Sequence, residues 1–484
     1  MTSLRNRAIK GINWSIINNL AKSGITFLVG IILARLLSPV EFGILGMVMI
    51  FIAVSDIIIE GGFVTALIRK TDATDEDYNT VFYCNLAISF FMMLVLWLTS
   101  SIIARFFDEP ILKSVIPCLS LLLVINASAI IHQTIFTKNL DFKVQAIISL
   151  ISSLGGGLIG IGLALMNFKI WSLVVQQLAR QLIMALLLWF SARWRPKWLF
   201  SKKSFQELFR FGSKLLVGNL INTLYRNIFL AVIGKMYSAA QLGQYNRAEQ
   251  FNLILTNNLA NVIQKVSLPT LSQIKNDEKR LVFLFRKILL YSSIVTFSAV
   301  FGLAALARPL ILTLVGKQWL VSAKYLQIMC CYGVLYIINQ LNLNMLSIYG
   351  RSDLLLKLEI IKKFIFIPVL IIGCYYELQY MLWAAVVYYY IETVANSWYA
   401  EKLFGYGLWK QVKDLSPIFL LSFAVSLCMW SVTLLSIQSV PTLILQISIG
   451  LLLYISIYEI ISHPEYKELK NIIIDNLRRL YIKT

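Results

Sequence analysis

Charged residues are scarce in this sequence of 484 residues. Asp, Glu, Lys and Arg together make up 14% of the chain, whereas 58% of it is hydrophobic and the mean hydropathy is +0.74. Soluble domains carry about 25% charged residues, so this composition excludes an ordinary soluble protein. The apolar residues form repeated runs of about 20, the length of a helix that crosses a bilayer. A transmembrane barrel would show short alternating segments instead, and the sequence therefore predicts an all-α integral membrane protein.

Cysteine and histidine are also scarce. The six cysteines lie in or beside apolar segments without a CxxC pair, and there are only two histidines. This pattern indicates neither a disulfide framework nor a zinc site. Basic residues Arg5, Arg7 and Lys10 precede the first apolar run, but no small-residue cleavage site follows it. We therefore interpret that run as a retained span and not as a signal peptide.

The apolar runs predict about fourteen transmembrane helices. The eleventh is the least regular, because it carries Glu359, Lys362 and Lys363 in its first half and Pro368 in its second. The predicted spans are at about 11–37, 43–66, 80–104, 114–137, 144–166, 170–191, 211–234, 241–263, 287–306, 322–348, 355–375, 379–400, 416–436 and 440–462.

The positive charge is concentrated on one side of these spans. The chain has 44 Lys and Arg against 24 Asp and Glu, and most of the Lys and Arg fall in the loops and tails on the side of the N-terminus. Short cytoplasmic loops are enriched in this way, so both termini are predicted to be cytoplasmic. The net charge of +20 is then an inner-face feature that meets anionic lipids. Nucleic-acid binding is not expected, because no soluble basic domain exists.

An internal duplication is suggested by two similar stretches, "ILARLLSPVEFGIL" at 32–45 and "VIGKMYSAAQLGQY" at 232–245. The stretches are 200 residues apart, and each unit would hold six spans. Because six is even, both units would have the same orientation in the membrane. The matched pairs at this offset are Asn19 with Asn219, Arg35 with Lys235, Ser38 with Ser238, and Gly43 with Gly243.

The predicted domains follow from this repeat. Residues 1–200 would form an N-lobe of spans 1–6, and residues 201–405 a C-lobe of spans 7–12. Residues 406–484 would add spans 13 and 14 and a cytoplasmic tail. The tail, "HPEYKELKNIIIDNLRRLYIKT", has an apolar stripe beside basic residues. It is therefore predicted to form an amphipathic helix in the membrane interface.

Several motifs resemble those of the polysaccharide transporter family within the MATE-like flippase superfamily, especially its lipopolysaccharide and colanic-acid exporter branch. They are "ILARLLSPVEFGILGM", "IIIEGGFVTALIRKTDATDEDYNTVFYCNL", "LGQYNRAEQF" and "KVSLPTLSQI". The resemblance covers roughly residues 5 to 405. It implies two six-helix lobes around a central cavity, and transport of a polyprenyl-diphosphate-linked oligosaccharide from the inner to the outer leaflet. The stretch "IEGGF" departs from the family pattern, in which many relatives carry Asp and a single Gly.

Cations and amides inside the spans are the candidate substrate-binding groups. A charge at mid-bilayer costs roughly 2.5–3.5 kcal/mol on insertion scales, so we expect each such residue to have a functional or structural role. A lipid-linked diphosphate is an anion that must cross hydrocarbon, and Lys and Arg would stabilise it. The candidate residues are Lys22, Arg180, Arg226, Arg247, Asn19, Asn219, Asn222, Gln176 and Gln177.

Acidic residues near the middle of spans are the ion-coupling candidates. These are Asp56 and Glu392, together with Glu60 on the same face as Asp56. Intramembrane acids often relay protons or bind cations, so H+ or Na+ is the coupling ion considered. The alternative is that they neutralise the cations, as Asp56 would do for Lys22. No cofactor and no metal site are expected.

Two other functions remain open from the sequence. A small-molecule or cation antiporter of the same superfamily would need fewer cations in its spans. A membrane polysaccharide polymerase would need a large outside loop with catalytic residues, and no such loop is predicted. The expected location is the bacterial cytoplasmic (inner) membrane, with no catalytic residue assigned. Polysaccharide polymerase and export proteins are considered as partners.

Overall fold

The computed structural model describes residues 21–435 and 437–460. Within these residues the chain is helical and has no β-strand, which confirms the predicted all-α class. The described part of α1 covers residues 21–36. The helices that follow are α2 (Pro39–Glu60), α3 (Phe63–Arg69), α4 (Asp75–Phe107), α5 (Leu112–Lys138), α6 (Phe142–Leu165), α7 (Ile170–Ser191), α8 (Lys202–Met236), α9 (Ala239–Gln273), α10 (Glu278–Leu314), α11 (Leu320–Gly333), α12 (Tyr336–Ile348), α13 (Ser352–Tyr375), α14 (Leu378–Phe404), α15 (Leu408–Ser431) and α16 (Ser439–Ile460).

Among the described residues, ten helical segments are long and apolar enough to cross a membrane. The protein is therefore a multi-pass membrane protein. Helices α9, α13 and α14 also match predicted spans, but their amides, tyrosines and charges make them less apolar than the ten. The first predicted span begins before the described part of α1. The total of fourteen stays a prediction.

A two-glycine elbow joins α2 to α3. Gly61 and Gly62 both have positive φ, 55° and 71°, which glycine adopts without a steric cost. A Cβ on Gly62 would also lie 2.7 Å from Cα of Gly212 in α8. The doubled glycine in "IEGGF" therefore has a packing role, because it lets the elbow rest directly on the backbone of α8.

The starts of α2 and α9 pack against each other through a reciprocal pair of glycines. A Cβ on Gly43 would overlap the carbonyl oxygen of Ala239, and a Cβ on Gly243 would overlap that of Pro39. Each contact becomes the other when 200 is added to or subtracted from the numbers. Such reciprocity is the signature of a local two-fold axis, and it supports the predicted duplication.

The helix boundaries carry the same offset. Helix α1 ends at residue 36 and α2 begins at Pro39, while α8 ends at Met236 and α9 begins at Ala239. Five long helical segments then follow in the same order in both stretches, α2 and α4 to α7 in the first and α9 to α14 in the second, with α11 and α12 together taking the place of α5. The matched breaks are a structural trace of the repeat that sparse residue identities suggested.

By spatial compactness the chain forms two units, Met1–Asn246 and Arg247–Thr484. The first unit contains α1 to α8 and the first turns of α9, which is why the glycine pair lies inside it. A division by compactness does not test whether the sequence is duplicated. The predicted lobes 1–200 and 201–405 therefore stay a prediction. The interfacial helix of the tail lies outside the described residues.

In the second unit, the last two helices pack on α10. Ala305 of α10 forms a small apolar core with Val425 and Met429 of α15. Buried amides add a polar link, because Asn342 of α12 and Gln411 of α15 exchange hydrogen bonds of 3.1 and 3.0 Å. An amide buried in a membrane helix requires such a partner, so this pair fixes α15 against α12.

Candidate functional site

Two cations lie close together in the first unit. Lys22 is on α1 and Arg180 is on α7, both side chains are half-buried, and their charges are near enough to repel each other. Within the described residues neither forms an ion pair with a carboxylate. The predicted pairing of Lys22 with Asp56 is therefore absent from the described ion pairs. Two like charges that act on each other, with no ion pair to a carboxylate among the described residues, suit the binding of an anion.

A chain of polar groups runs beside these cations. Oδ1 of Asp56 on α2 accepts a hydrogen bond from Nδ2 of Asn126 on α5, at 3.3 Å. Oδ1 of Asn126 in turn accepts one from Nε2 of Gln181 on α7. Gln181 follows Arg180 directly in the chain, so the polar chain fixes α7 at the position of the cation. We call Lys22, Asp56, Asn126, Arg180 and Gln181 the polar cluster.

Glycines of α6 set how closely α7 approaches. A Cβ on Gly156 would lie 2.5 Å from Cβ of Arg180, and a Cβ on Gly160 would lie 2.7 Å from Cβ of Gln176. The small-residue run "LGGGLIGIGLAL" thus serves close helix packing, as its composition predicts. Gln176 and Gln177 are both half-buried. The stretch of α7 that contains Gln176 and Arg180 therefore packs directly against the glycine backbone of α6.

The predicted polar stripe of α8 is exposed in the structure. Asn219, Asn222 and Arg226 lie three and four residues apart and all three are exposed. A guanidinium cannot face the hydrocarbon of lipid at low cost. The physical expectation is that this face of α8 borders water or polar groups, which is what a substrate path requires. The matching residue of the first repeat, Asn19, lies outside the described residues.

Arg247, at the start of the second unit, is 3% exposed and is held by its neighbours. Its Nη1 donates to Oε1 of Gln250 at 2.6 Å, and its guanidinium lies 5.0 Å from the ring centroid of Trp319. This cation–π contact and hydrogen bond offset part of the cost of burying the charge. Arg247 is therefore anchored within its own unit, and it would reach a substrate only by exchanging these contacts.

An ion triad centred on a buried lysine lies in the second unit. Nζ of Lys362 on α13 pairs with Glu392 of α14 at 3.0 Å and with Glu359 one turn earlier on its own helix. The Lys362 residue is 5% exposed. Glu392, predicted as an ion-coupling candidate, thus has a lysine partner that the sequence alone did not assign to it. Asp56 and Glu60 are close enough to act on each other electrostatically.

The motif "IIIEGGFVTALIRKTDATDEDYNTVFYCNL" begins at the end of α2, and its polar residues have mainly structural roles. Lys70 bridges Asp77 on α4 and Glu207 on α8. Its Nζ lies 3.1 Å from Oδ2 of Asp77 and 3.1 Å from Oε2 of Glu207. Thr74 and Asp77 form a capping box at the start of α4. Partial burial lowers the pKa of Lys70, but its hydrogen bonds and the two carboxylates outweigh this and raise the pKa above its ordinary value. The motif therefore ties α3, α4 and α8 together.

Asn126, Gln181 and Lys362 were not among the candidates from the sequence. Asn126 stands alone in the apolar run "LLLVINASAII", and Gln181 follows the assigned Arg180. A search for single amides in apolar spans would have found Asn126. Lys362 was visible as a charge in the eleventh span, but its partner Glu392 is thirty residues away, so no local pattern could pair them.

Residues 32–324 match the family described as polysaccharide biosynthesis protein. Curated relatives include the lipopolysaccharide biosynthesis protein WzxC of Escherichia coli (strain K12), which is 26% identical over 77% of this chain and 76% of its own length. The teichuronic acid biosynthesis protein TuaB of Bacillus subtilis (strain 168) is 24% identical over 73% of this chain and 74% of its own length. The succinoglycan biosynthesis transport protein ExoT of Rhizobium meliloti (strain 1021) is 27% identical, over 64% and 63% respectively.

Solved structures share the fold. The lipid II flippase MurJ in an inward closed conformation has a TM-score of 0.76 at 17% identity, covering 95% of this chain and 99% of that chain. An inward-facing multidrug resistance MATE family transporter of the MOP superfamily has a TM-score of 0.59 at 14% identity, covering 80% and 98%. These confirm the MATE-like fold that the motifs predicted. Since the family match spans more than half of the chain, this protein belongs to the polysaccharide biosynthesis protein family of membrane proteins.

Proposed function

We propose that this protein is a flippase that moves a polyprenyl-diphosphate-linked oligosaccharide from the inner to the outer leaflet of the bacterial cytoplasmic membrane. The glycan would serve lipopolysaccharide O-antigen, capsule or exopolysaccharide synthesis. The observation that carries this proposal is the pair of cations, Lys22 and Arg180, which lie together in a membrane protein without a described carboxylate partner. A diphosphate supplies the negative charge that this pair lacks.

The polar side chains of α7 suit the remainder of such a substrate. Amides such as Gln176 and Gln177 can donate to and accept from sugar hydroxyls. The planar guanidinium of Arg180 can bind two phosphate oxygens at once. The polyprenyl chain need not enter a polar site, since lipid already solvates it. The protein would act by alternating access, so its role is transport without covalent chemistry.

Family relationship and charge favour this substrate over the antiporter alternative. The relatives named above act in lipopolysaccharide, succinoglycan and teichuronic acid biosynthesis. Many antiporter substrates are themselves cations, and a site with two adjacent positive charges would repel them. A gradient of H+ or Na+ would drive the cycle through Asp56, Glu60 or Glu392.

The test is a leaflet-accessibility assay in cells that lack the protein. A membrane-impermeant enzyme or lectin added from outside should find little lipid-linked oligosaccharide on the outer leaflet, and the wild-type gene should restore it. Lys22→Ala and Arg180→Ala should restore little. Lys113→Ala, an exposed lysine at the start of α5, should restore it fully at matched protein level. Normal outer-leaflet substrate in cells without the protein would refute the flippase function.

A further inference from the structure

The connection between α7 and α8 exposes three consecutive apolar side chains. Trp198 is 93% exposed, Leu199 is 40% exposed and Phe200 is 62% exposed. We call these three residues the apolar triplet. A connecting segment faces water and is usually polar, so a run of exposed apolar residues in such a segment indicates contact with an apolar partner.

Hydrogen bonds hold the backbone on both sides of the apolar triplet. The backbone N–H of Lys197 donates to Oδ1 of Asn79 on α4 at 2.6 Å. The backbone N–H of Ser201 donates to Oγ1 of Thr80, also on α4, at 3.0 Å. Both acceptor residues are 0% exposed, so water does not compete for these bonds. The exposure of the triplet is therefore fixed by the fold, since the backbone before and after it is tied to a transmembrane helix.

The same contacts place the apolar triplet at the level of the membrane boundary. Thr80 is the first residue of the predicted span 80–104, and the connection follows the end of the predicted span 170–191. The ring of Trp198 stacks on that of Tyr83 in α4, with 5.3 Å between the centroids and 15° between the planes. Tryptophan and tyrosine are enriched at the membrane–water interface, because their rings are amphipathic. The triplet is therefore at the depth of the lipid headgroups, on the side predicted to be cytoplasmic.

Positive charges flank the apolar triplet in the sequence. Arg193, Lys202 and Lys203 are all exposed, and within the part of the chain that the structure describes none of them forms an ion pair. The acids that contact this region, Asp75 and Glu207, already bind other lysines, at 2.7 and 3.1 Å. A surface that combines apolar rings with unneutralised cations at headgroup depth is complementary to anionic phospholipid, which supplies both acyl chains and phosphate.

We propose that residues 193–203 form a docking site for anionic phospholipid of the cytoplasmic leaflet. The apolar triplet enters the boundary between headgroups and acyl chains, while the ammonium groups of Lys202 and Lys203 bind the lipid phosphate. Docking holds the end of α7 at the membrane surface, and α7 also carries Arg180. The site is separate from the cation pair, and it binds bulk lipid whatever the transported substrate is.

The experiment measures quenching of tryptophan fluorescence by brominated phospholipids, with the full chain in vesicles of phosphatidylcholine and a minor share of phosphatidylglycerol. Both leaflets have the same composition, so the orientation of the inserted protein does not matter. The signal of Trp198 is the difference between the wild type and Trp198→Phe, which keeps an aromatic ring against Tyr83. In one preparation the acyl chains of the phosphatidylglycerol are brominated, and in the other those of an equal amount of the phosphatidylcholine.

We expect both lipids to quench Trp198, and brominated phosphatidylglycerol to quench it about twofold more, because the cations enrich anionic lipid beside the ring. Replacing both Lys202→Gln and Lys203→Gln should abolish this preference and leave the quenching itself. The matched control combines Lys113→Gln with Lys169→Gln. These two exposed lysines lie at the starts of α5 and α7, the ends away from the connection, and the preference should persist without them.

Two outcomes would overturn the proposal. Equal quenching of Trp198 by the two brominated lipids would show that the site does not select anionic lipid. Absence of quenching by either lipid would place the apolar triplet in water, where a protein partner would be the occupant instead. If the double lysine variant does not fold, the comparison of the two lipids with the wild type and Trp198→Phe decides by itself.

Discussion

At the residue scale, the protein contains two kinds of membrane-embedded charge. Lys22 and Arg180 repel each other and have no described acidic partner, whereas Lys362 lies between two carboxylates. The first arrangement stores unfavourable electrostatic energy that an anion would relieve. The second satisfies most of its charge internally. This contrast explains why we assign anion binding to the first unit.

Substitutions at the cation pair should separate charge from side-chain shape. Lys22→Arg should keep most transport, because the charge remains. Lys22→Ala and Arg180→Ala should each reduce transport by about 10- to 100-fold, the equivalent of losing a charged hydrogen bond worth ~1.5–3 kcal/mol. The double variant should lose less than the sum, because both charges act on one ligand. Transport of lipid-linked oligosaccharide at matched protein level is the measurement.

The same pair provides a control against a purely structural role. Asp56 binds Asn126 and has no described ion pair with Lys22. Combining Lys22→Ala with Asp56→Ala should therefore give no recovery of transport. Recovery in that double variant would mean that Lys22 only neutralises a buried acid, and the anion site would have to be abandoned.

At the element scale, glycine contacts and one ion network determine how the helices of the first unit meet. Backbone approaches backbone at the Gly43–Ala239 and Gly243–Pro39 contacts, and again where Gly62 meets Gly212. Without an apolar driving force between helices in lipid, such close contact supplies much of the packing energy. At the ends of the helices, Lys70 connects α4 with α8 through two carboxylates.

Replacing either glycine of the reciprocal pair should separate α2 from α9. Gly43→Ala and Gly243→Ala should each destabilise the protein by ~1–3 kcal/mol, because the added methyl overlaps a backbone carbonyl that cannot rotate away. Gly218→Ala is the control, because nothing lies within 4 Å of its Cβ position and alanine is the better helix former. Thermal unfolding in detergent is the measurement, and equal stability of all three variants would contradict the assigned contact.

Stability at alkaline pH should report on Lys70. Since folding raises the pKa of Lys70, its contribution is fully present at neutral pH and is lost as the pH rises through the raised pKa, above ~10.4. Lys70→Met should lower stability at neutral pH by ~1–3 kcal/mol, because Asp77 is left buried with fewer partners. The difference between variant and wild type should shrink at high pH.

Lys197 offers the matched control for that measurement. Its pair with Asp75 is exposed on both sides, with 63% and 54% of the side chains accessible. Such pairs contribute about 0–1 kcal/mol, so Lys197→Met should have little effect at any pH. A Lys70→Met protein as stable as the wild type at neutral pH would show that the network contributes nothing measurable.

At the scale of the whole molecule, the net charge of +20 and its concentration in alternate loops predict an orientation in the membrane. A reporter that is active only outside the cytoplasm should give no signal when fused to Thr484, because both termini are predicted to be cytoplasmic. Fusion in the short connection between α10 and α11, which is predicted to lie outside, should give a strong signal. Outside activity at Thr484 would be incompatible with an even number of spans after a cytoplasmic N-terminus.

The sequence by itself determined the class of this protein, because hydrophobic runs of bilayer length leave the backbone no alternative to helices. It also determined most span positions. The free-energy cost of placing the charges of Lys22 and Arg180 inside the membrane also follows from the sequence, because it depends on local composition. The duplication was visible only as sparse identities, and the matched breaks before Pro39 and Ala239 gave it structural support.

Only the tertiary structure decided which polar groups meet. Asp56, Asn126 and Gln181 lie on three different helices, and Lys362 meets Glu392 across thirty residues of chain. Helical periodicity orders side chains within one element but says nothing about the rotation of the next element around its axis. That rotation depends on packing, here on glycines such as Gly156 that let α6 approach Arg180 on α7. The partners of a membrane-embedded charge are therefore a property of the fold, while the presence of the charge is a property of the sequence.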